Sequence, residues 1–146
     1  AHAATAPHPQ GVGAALAIER ALRDAGLSAD AIEYVNAHAT GTPVGDVAEA
    51  LAIARTIGSA PVSSVKGALG HTIAAAGAIE AAACVAALQG GFMPGTAGLI
   101  SPDPACPIEV VQTPRAATLE VVLSNSFGFG GQNAALVLAH ADSERV

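Results

Sequence analysis

The stretch LEVVLSNSFGFGGQNAALVLA, residues 119–139, decides the fold class. Two runs rich in Val, Leu and Ala, residues 119–124 and 133–139, flank a loop in which glycines alternate with phenylalanines. Apolar runs of this length predict strands, and their short separation predicts an antiparallel pair. The loop is not a dinucleotide-binding turn, because its spacing is not G-x-G-x-x-G and a strand follows it.

Upstream of this pair, helical and extended patterns alternate. The first helix is predicted to end at Gly26, and Asp46 followed by Glu49 resembles a capping box at the start of the second. After an irregular lead segment over residues 1–10, the predicted elements are helix 13–25, strand 32–35, a helix from residue 46, strand 61–65, helix 72–89 and strand 108–111. This order predicts a layered α/β domain.

The helix predicted over residues 72–89 is almost entirely apolar. Its length alone is compatible with a membrane span. Ala and Gly dominate it, however, Glu80 lies in its middle, and no basic residues flank it. We therefore expect a helix buried on all sides inside a soluble domain, and no contact with a membrane.

The overall composition excludes several classes of protein. A chain of 146 residues is long enough for one domain with a buried core. A net charge of -6 argues against a nucleic-acid groove, which needs clustered cations. The first thirty or so residues lack the pattern of a signal peptide. Cys84 and Cys106 have neither a disulfide framework nor neighbours that depress a thiol pKa, so both are predicted to be structural and the compartment to be the reducing cytoplasm.

Three segments place polar or aromatic residues where a predicted strand stops: NAHATGT (36–42), KGALGH (66–71) and NSFGFGG (125–131). Side chains at such positions can face a common cleft. His38 alone is compatible with a structural hydrogen bond in a turn. His71 is predicted to open the long helix, where its imidazole serves either as a cap or as a donor to a developing oxyanion. No histidine pair has the spacing of metal ligands.

Two charged residues of this region need partners if they are buried. Lys66 is either a surface lysine or a buried ammonium, and a buried ammonium requires a carboxylate, for which Glu49 and Asp46 are the candidates. Glu80, inside the apolar helix, must be neutral, paired or bound to a cation. The sequence does not choose among these alternatives.

Taken together, the segments resemble the C-terminal half of a β-ketoacyl-acyl carrier protein synthase, a condensing enzyme of the thiolase superfamily. The matching residues are Asn36 to Thr42 with Pro43, Gly45 and Asp46, then Ser63 to Lys66 with Gly70 and His71, then Asn125 to Gly131, and, near the start, Thr5 to Pro9. The resemblance implies the C-terminal half of a thiolase-like layered α/β/α fold over residues 1–146. Thiolases themselves are disfavoured, because their C-terminal loop carries a cysteine where this chain has residues 127–131. Gln132, where the family commonly has Thr, is a minor departure.

The reaction implied by the resemblance is a decarboxylative Claisen condensation in fatty acid or polyketide synthesis. His38 and His71 would hydrogen-bond the malonyl thioester oxygen and stabilise the enolate formed when CO₂ leaves. Lys66 would pair with Glu49, with Asp46 nearby, and hold the histidine site in shape.

The resemblance also assigns binding roles. Thr40 and Thr42 would bind the phosphopantetheine arm of an acyl carrier protein. Phe129, with Phe127 beside it, would gate the acyl pocket, and the Phe129 N–H would form half of an oxyanion hole. No cofactor is required, but a structural cation is implied near Asn36, Ala37, Glu80, Ser124 and Asn125.

The family's nucleophilic cysteine lies in an N-terminal half that has no counterpart in this sequence. We therefore expect this chain to be unable to form the acyl-enzyme alone, to expose a large apolar face, and to need an N-terminal half on the same or a separate chain. A dimer of complete units is implied by the family. The alternative is a non-catalytic subunit of the chain-length-factor type, against which the retained His38, His71 and Lys66 argue.

Overall fold

The computed structural model describes residues 3–143. The two ends of the predicted domain over residues 1–146, and the first two residues of its irregular lead segment, lie outside the described residues. The helices are α1 Val12–Ala25, α2 Pro43–Thr56, α3 Lys66–Leu69 and α4 Ala76–Gly90. The strands are β1 Tyr34–Asn36, β2 Val62–Ser63, β3 Phe92–Met93, β4 Arg115–Ala116, β5 Val121–Phe127 and β6 Asn133–Ala139. Short 3₁₀ turns cover Ala29–Ala31, Ile73–Ala75 and Phe129–Gly131.

Four strands form one mixed sheet in the order β2-β1-β5-β6. The central strand β1 runs parallel to both neighbours, with Val35 opposite Val62 on one side and Leu123 on the other. The predicted antiparallel pair is confirmed, because β5 and β6 pair from end to end, finishing with Phe127 opposite Asn133. The carboxyl ends of the parallel strands β1, β2 and β5 therefore lie side by side along one edge of the sheet.

Alternation along the strands sends successive side chains to opposite faces of the sheet. Val35 and Leu123 pack with α1 and α2 in one hydrophobic cluster. Their neighbours Tyr34 and Val122 pack with Cys84 of α4 in a second cluster. The result is a sheet with helices on both faces, which confirms the predicted α/β class and layering.

The expectation that the long apolar helix is buried on all sides is wrong. Helix α4 begins at Ala76 rather than at residue 72, and only 28% of the window Ile73–Gly90 is buried. Its inner face packs on the sheet, whereas Ile79 and Val85 on the outer face are 36% and 40% exposed. No described residue covers this outer face. The window is long and apolar enough to cross a membrane, but core helices of soluble proteins pass the same test.

Two smaller predictions also need correction. The strand predicted over residues 108–111 is reduced to a single parallel bridge between Val110 and Val62, and a short antiparallel pair of β3 and β4 lies nearby. The capping box predicted at Asp46 is wrong, because α2 already begins at Pro43, a residue suited to the first position of a helix. Asp46 instead accepts the N–H of Thr42 at 3.3 Å.

Candidate active site

Two histidines and a phenylalanine meet at the edge of the sheet where β1, β2 and β5 end. His38 follows β1 by two residues, and Phe127 is the last residue of β5. The ring centroids of His38 and His71 are 5.5 Å apart with the planes at 90°. The Phe127 ring lies 5.8 Å from the His38 ring. The structure thus brings both predicted histidines into one edge-to-face arrangement.

The segment before α4 presents His71. The prediction that His71 opens the long helix is wrong by one turn, because a 3₁₀ turn at Ile73–Ala75 separates the two. His71 itself is exposed, and its Nδ1 accepts the N–H of Ile73 at 3.2 Å. Its ring is therefore placed by a backbone hydrogen bond and by the edge of His38 rather than by deep burial.

Lys66 lies beneath His38 and forms an ion pair with Glu80. The Nζ of Lys66 donates to Oε1 of Glu80, and both side chains are buried. The same Nζ lies 3.5 Å from Nδ1 of His38. The predicted partners Glu49 and Asp46 are therefore wrong. Glu80 reaches Lys66 because it lies on the inner face of α4. The two residues are 14 positions apart in the sequence, and no local sequence pattern predicts that they pair.

Glu49 is occupied by a different set of donors. Its buried carboxylate accepts the N–H of His38 at 2.9 Å, the N–H of Ala39 at 2.8 Å and Nδ2 of Asn125 at 3.0 Å. Burial raises the pKa of Glu49, and these three hydrogen bonds oppose that rise. Glu49 thereby ties the His38 turn to β5, which sequence reasoning missed because backbone N–H groups leave no sequence signal.

The environment of His38 disfavours its charged form. Burial, then the charge of Lys66, then His71 lower the pKa of His38 from 6.5 to about 4. His38 is therefore neutral at physiological pH. An ammonium group can only donate, so Nδ1 is the acceptor in the 3.5 Å contact with Lys66 and the neutral His38 ring carries its proton on Nε2.

We expect an NMR titration of the His38 ring in the intact protein to give a midpoint near pH 4. Between that value and 6.5 the unfolded chain binds more protons at this residue than the folded chain does. This histidine consequently makes the folded state less stable as the pH falls through that window. A midpoint near 6.5 would contradict the described environment.

The predicted arm-binding residues Thr40 and Thr42 lie in the turn that follows His38. Thr40 is half-buried, Thr42 is exposed, and their hydroxyls are 3.2 Å apart. Beside them, burial raises the pKa of Asp46, against hydrogen bonds from backbone N–H groups at Thr42, Gly41 and Thr40. Each hydroxyl can still hydrogen-bond a further polar group.

The glycine loop after β5 exposes its second phenylalanine. Phe129 is 75% exposed, and Gly130 and Gly131 follow with φ values of 73° and 78°, which favour glycine. The Gly130 N–H donates to the carbonyl of Ala4 at 2.8 Å, so the lead segment holds this loop. Phe127 is the ring packed on His38, and Phe129 lies at the surface.

Three buried side-chain oxygens near the ends of β1 and β5 have no hydrogen-bond partner among the described residues: Asn36 Oδ1, Glu80 Oε2 and Asn125 Oδ1. The register places Asn36 opposite Ser124, so Asn36 and Asn125 occupy adjacent positions on neighbouring strands. Amide and carboxylate oxygens are the ligands of hard cations. Asn36 bonds the side chain of Ser124 on one face of the sheet, whereas Asn125, one residue further along, faces the other side and donates to Glu49. The alternation of the strands alone does not bring the three oxygens to one point, and the described residues contain no cluster of three or more His, Cys, Asp or Glu, so the structural cation stays a prediction.

Neither cysteine has the surroundings of an activated nucleophile. Burial raises the pKa of Cys84 to about 11, and burial together with nearby carboxylates raises the pKa of Cys106. Both are free thiols. The thiolate that an acyl transfer requires is therefore not supplied by either at neutral pH.

Comparison with known sequences finds a matching family and related proteins. The family profile described as "Beta-ketoacyl synthase, C-terminal domain" matches residues 1–99, which include His38, Lys66 and His71. The chloroplastic 3-oxoacyl-[acyl-carrier-protein] synthase II of Arabidopsis thaliana is 44% identical over 140 residues, covering 92% of this chain and 26% of that protein.

The chain also superposes on solved structures of ketosynthases. A ketosynthase from Xenorhabdus doucetiae in complex with its chain length factor superposes with a TM-score of 0.84 at 40% identity, over 95% of this chain and 36% of that one. A ketosynthase in complex with its type II polyketide synthase acyl-carrier protein gives a TM-score of 0.92 at 29% identity, over 97% and 36%. The chain therefore spans about a quarter to a third of the length of these relatives.

Proposed function

We propose a function for this chain from one premise: it belongs to the β-ketoacyl synthase family, as the C-terminal domain. The chain supplies the histidine and lysine site at which a malonyl thioester is decarboxylated and condensed with an acyl group. The observation that carries this proposal is the edge-to-face pair of His38 and His71, with the Lys66–Glu80 ion pair beneath it.

In the proposed reaction, CO₂ leaves the malonyl group and its bonding electrons form an enolate on the thioester. The enolate carbon attacks the carbonyl of an acyl thioester, and the cysteine thiolate that held the acyl group departs. Negative charge develops on the malonyl thioester oxygen as CO₂ leaves. His38 and His71 donate ring N–H groups to that oxygen, and such preorganised donors stabilise the transition state.

The cysteine belongs to the part of the family's fold that this chain does not cover. We place that part against the outer face of α4, which is apolar and exposed at Ile79 and Val85. An apolar helix face of this kind needs a protein surface to cover it. The N-terminal half is therefore the proposed direct partner, and a dimer of complete units is the proposed assembly.

The acyl carrier protein is the proposed source of both thioesters. The complex solved for a related ketosynthase with its acyl-carrier protein supports this partner. Thr40 and Thr42 would hydrogen-bond the phosphopantetheine arm at the mouth of the cleft. We propose the cytoplasm as the compartment, on the basis of the two free cysteines.

Phe129 is proposed to gate the acyl pocket, because its ring is exposed on a glycine-flanked loop next to Phe127. Replacing Phe129 with alanine should change the ratio of kcat/KM values between short and long acyl chains severalfold. Ile100→Ala, which removes another exposed apolar side chain, is the control. An unchanged chain preference in Phe129→Ala would argue against the gate.

We also propose a structural cation near Asn36, Ala37, Glu80, Ser124 and Asn125, of which Asn36, Glu80 and Asn125 carry buried oxygens without a partner among the described residues. It would neutralise the second oxygen of Glu80 and fix the ends of β1 and β5 next to the His38 turn. A cation that survives desalting of the wild type but is lost from Asn125→Ala would support this site, and equal retention in both would contradict it.

The second candidate is a chain-length-factor type of subunit, which is supported by the similarity to solved complexes that contain both a ketosynthase and a chain length factor. Formation of a condensation product distinguishes the condensing function from the non-catalytic subunit. The intact protein that carries this chain is supplied with radiolabelled acyl carrier protein and malonyl carrier protein. A labelled 3-oxoacyl product supports the condensing function. Binding of both substrates without CO₂ release or product would support the non-catalytic subunit.

A further inference from the structure

On its outer side, strand β2 pairs with the segment over residues 109–111. Two bonds of a parallel ladder are present: the Val62 N–H donates to the carbonyl of Glu109 at 2.8 Å, and the Val111 N–H donates to the carbonyl of Val62 at 2.8 Å. The bonds of a parallel ladder are evenly spaced, so the next one would join the Ser64 N–H to the Val111 carbonyl. The Ser64 N–H donates instead to Oγ1 of Thr96, at 3.3 Å.

Thr96 takes the place of this third ladder bond. Its own N–H donates to the Val111 carbonyl at 2.9 Å, while its hydroxyl accepts the Ser64 N–H. Ser64 is 4% exposed, so water is a poor substitute as a partner for its N–H. The Thr96 side chain therefore satisfies the buried donor that the ladder leaves over, and β2 ends there.

The segment that leaves the sheet at this point is the turn that carries Lys66. The hydroxyl of Ser64 accepts the Lys66 N–H at 3.3 Å, and α3 begins at Lys66. Thr96, Ser64 and Lys66 are thus joined in series by hydrogen bonds. The position of Ser64 consequently sets where the lysine starts, and from there its Nζ pairs with Glu80 and lies 3.5 Å from Nδ1 of His38.

The chain after Thr96 also packs against the turn. A Cβ on Gly67 would overlap the carbonyl oxygen of Ala97, and the other atoms near it are backbone atoms of the same residue. Only glycine leaves room for an approach this close. The residues that follow Lys66 and Thr96 are therefore in direct contact, which adds to the hydrogen bonds between the two segments.

We propose that Thr96 is a positioning residue for Lys66: its hydroxyl ends β2 at Ser64 and so fixes the turn that carries the lysine. The effect on the rate rests on the proposed function, because it appears only if decarboxylation depends on Lys66. The hydrogen bond itself can be measured without any substrate.

Two substitutions separate the hydroxyl of Thr96 from its shape. Thr96→Val keeps the branched side chain and removes the acceptor, whereas Thr96→Ser keeps the acceptor. A net hydrogen bond of ordinary strength corresponds to roughly a two- to tenfold change in an equilibrium. In the intact protein we expect hydrogen exchange of the Ser64 amide to accelerate by about that factor in Thr96→Val and to stay at the wild-type rate in Thr96→Ser. Wild-type exchange in Thr96→Val, or equal acceleration in both variants, would overturn the proposal.

Thr56→Val is the matched control. It removes the hydroxyl of another half-buried threonine, which donates to the Ala52 carbonyl within α2 at 2.8 Å. Exchange of the Ser64 amide should be unchanged in this variant. The same acceleration as in Thr96→Val would mean that exchange at Ser64 reports a general loss of stability, and the proposal would fail.

Steady-state kinetics connect the contact to the reaction. In Thr96→Val, kcat for decarboxylation of malonyl carrier protein should fall by about two- to tenfold, since fewer molecules hold the turn in place. KM should be unchanged, because the proposed function gives Lys66 no part in binding the carrier protein, and Thr96→Ser should restore kcat. An equal loss of kcat in Thr96→Ser would overturn the proposal. Faster exchange at Ser64 with wild-type decarboxylation in Thr96→Val would support Thr96 as the residue that fixes the turn and would contradict the proposed role of Lys66 instead.

Discussion

Replacing His71 with alanine is expected to slow decarboxylation of the malonyl thioester by about a hundred- to a thousandfold, the usual effect of removing one oxyanion donor. The variant loses one of the two N–H donors, because the His71 ring lies edge to face with the His38 ring at a centroid distance of 5.5 Å. No other imidazole among the described residues lies there to replace it. The measurement is release of labelled CO₂ from malonyl carrier protein by the intact protein.

Transfer of the acyl group to the cysteine should remain detectable in the same variant, since that step does not form the malonyl enolate. His140→Ala is the matched control, because His140 follows the end of β6 that pairs with the start of β5, at the opposite edge of the sheet from Phe127. Lost acylation with normal CO₂ release in His71→Ala would contradict the assigned role.

Replacing Lys66 with alanine is expected to lower the free energy of unfolding by about 3–5 kcal/mol, the usual cost of stranding one partner of a buried ion pair. Glu80 is 2% exposed, and one of its oxygens already lacks a hydrogen-bond partner. Urea denaturation of the intact protein measures the change. A midpoint equal to that of the wild type would show that the pair is not buried in solution.

A double variant separates stability from chemistry. In Lys66→Met with Glu80→Gln both charges are removed, so most of the lost stability should return. Decarboxylation should stay impaired, because the ammonium that lies 3.5 Å from Nδ1 of His38 is still absent. Full recovery of the decarboxylation rate would reduce Lys66 to a structural residue.

Much of the fold can be predicted from sequence patterns that extend over a few residues. The two apolar runs around the glycine loop predict the β5–β6 pair, and the span of β6 agrees with its prediction. The first helix ends where Gly26 adopts the left-handed conformation. These elements are predictable because periodicity and glycine placement act over a few residues. The sequence also places His38 just after a strand and His71 a few residues after the next one, and the structure brings the two rings together.

The errors in ion pairing and in the burial of α4 concern contacts between distant residues. Glu80 forms the ion pair with Lys66 because α4 packs on the sheet with its Glu80 side turned inward. The carboxylate of Glu49 instead accepts hydrogen bonds from backbone N–H groups. The outer face of α4 is exposed although its composition predicts burial, because hydropathy does not say which surface covers a helix. Ile73 gives no sign of its left-handed backbone, since its side chain argues against that conformation.

The central claim is that the two imidazoles act together on one developing oxyanion, and a double-mutant cycle tests it most directly. CO₂ release is measured for His38→Ala, His71→Ala and the variant carrying both. Groups that act as a unit show strongly non-additive losses. The account predicts that the double variant is about as slow as the slower single variant. Losses that multiply fully, or single variants at the wild-type rate, would contradict it.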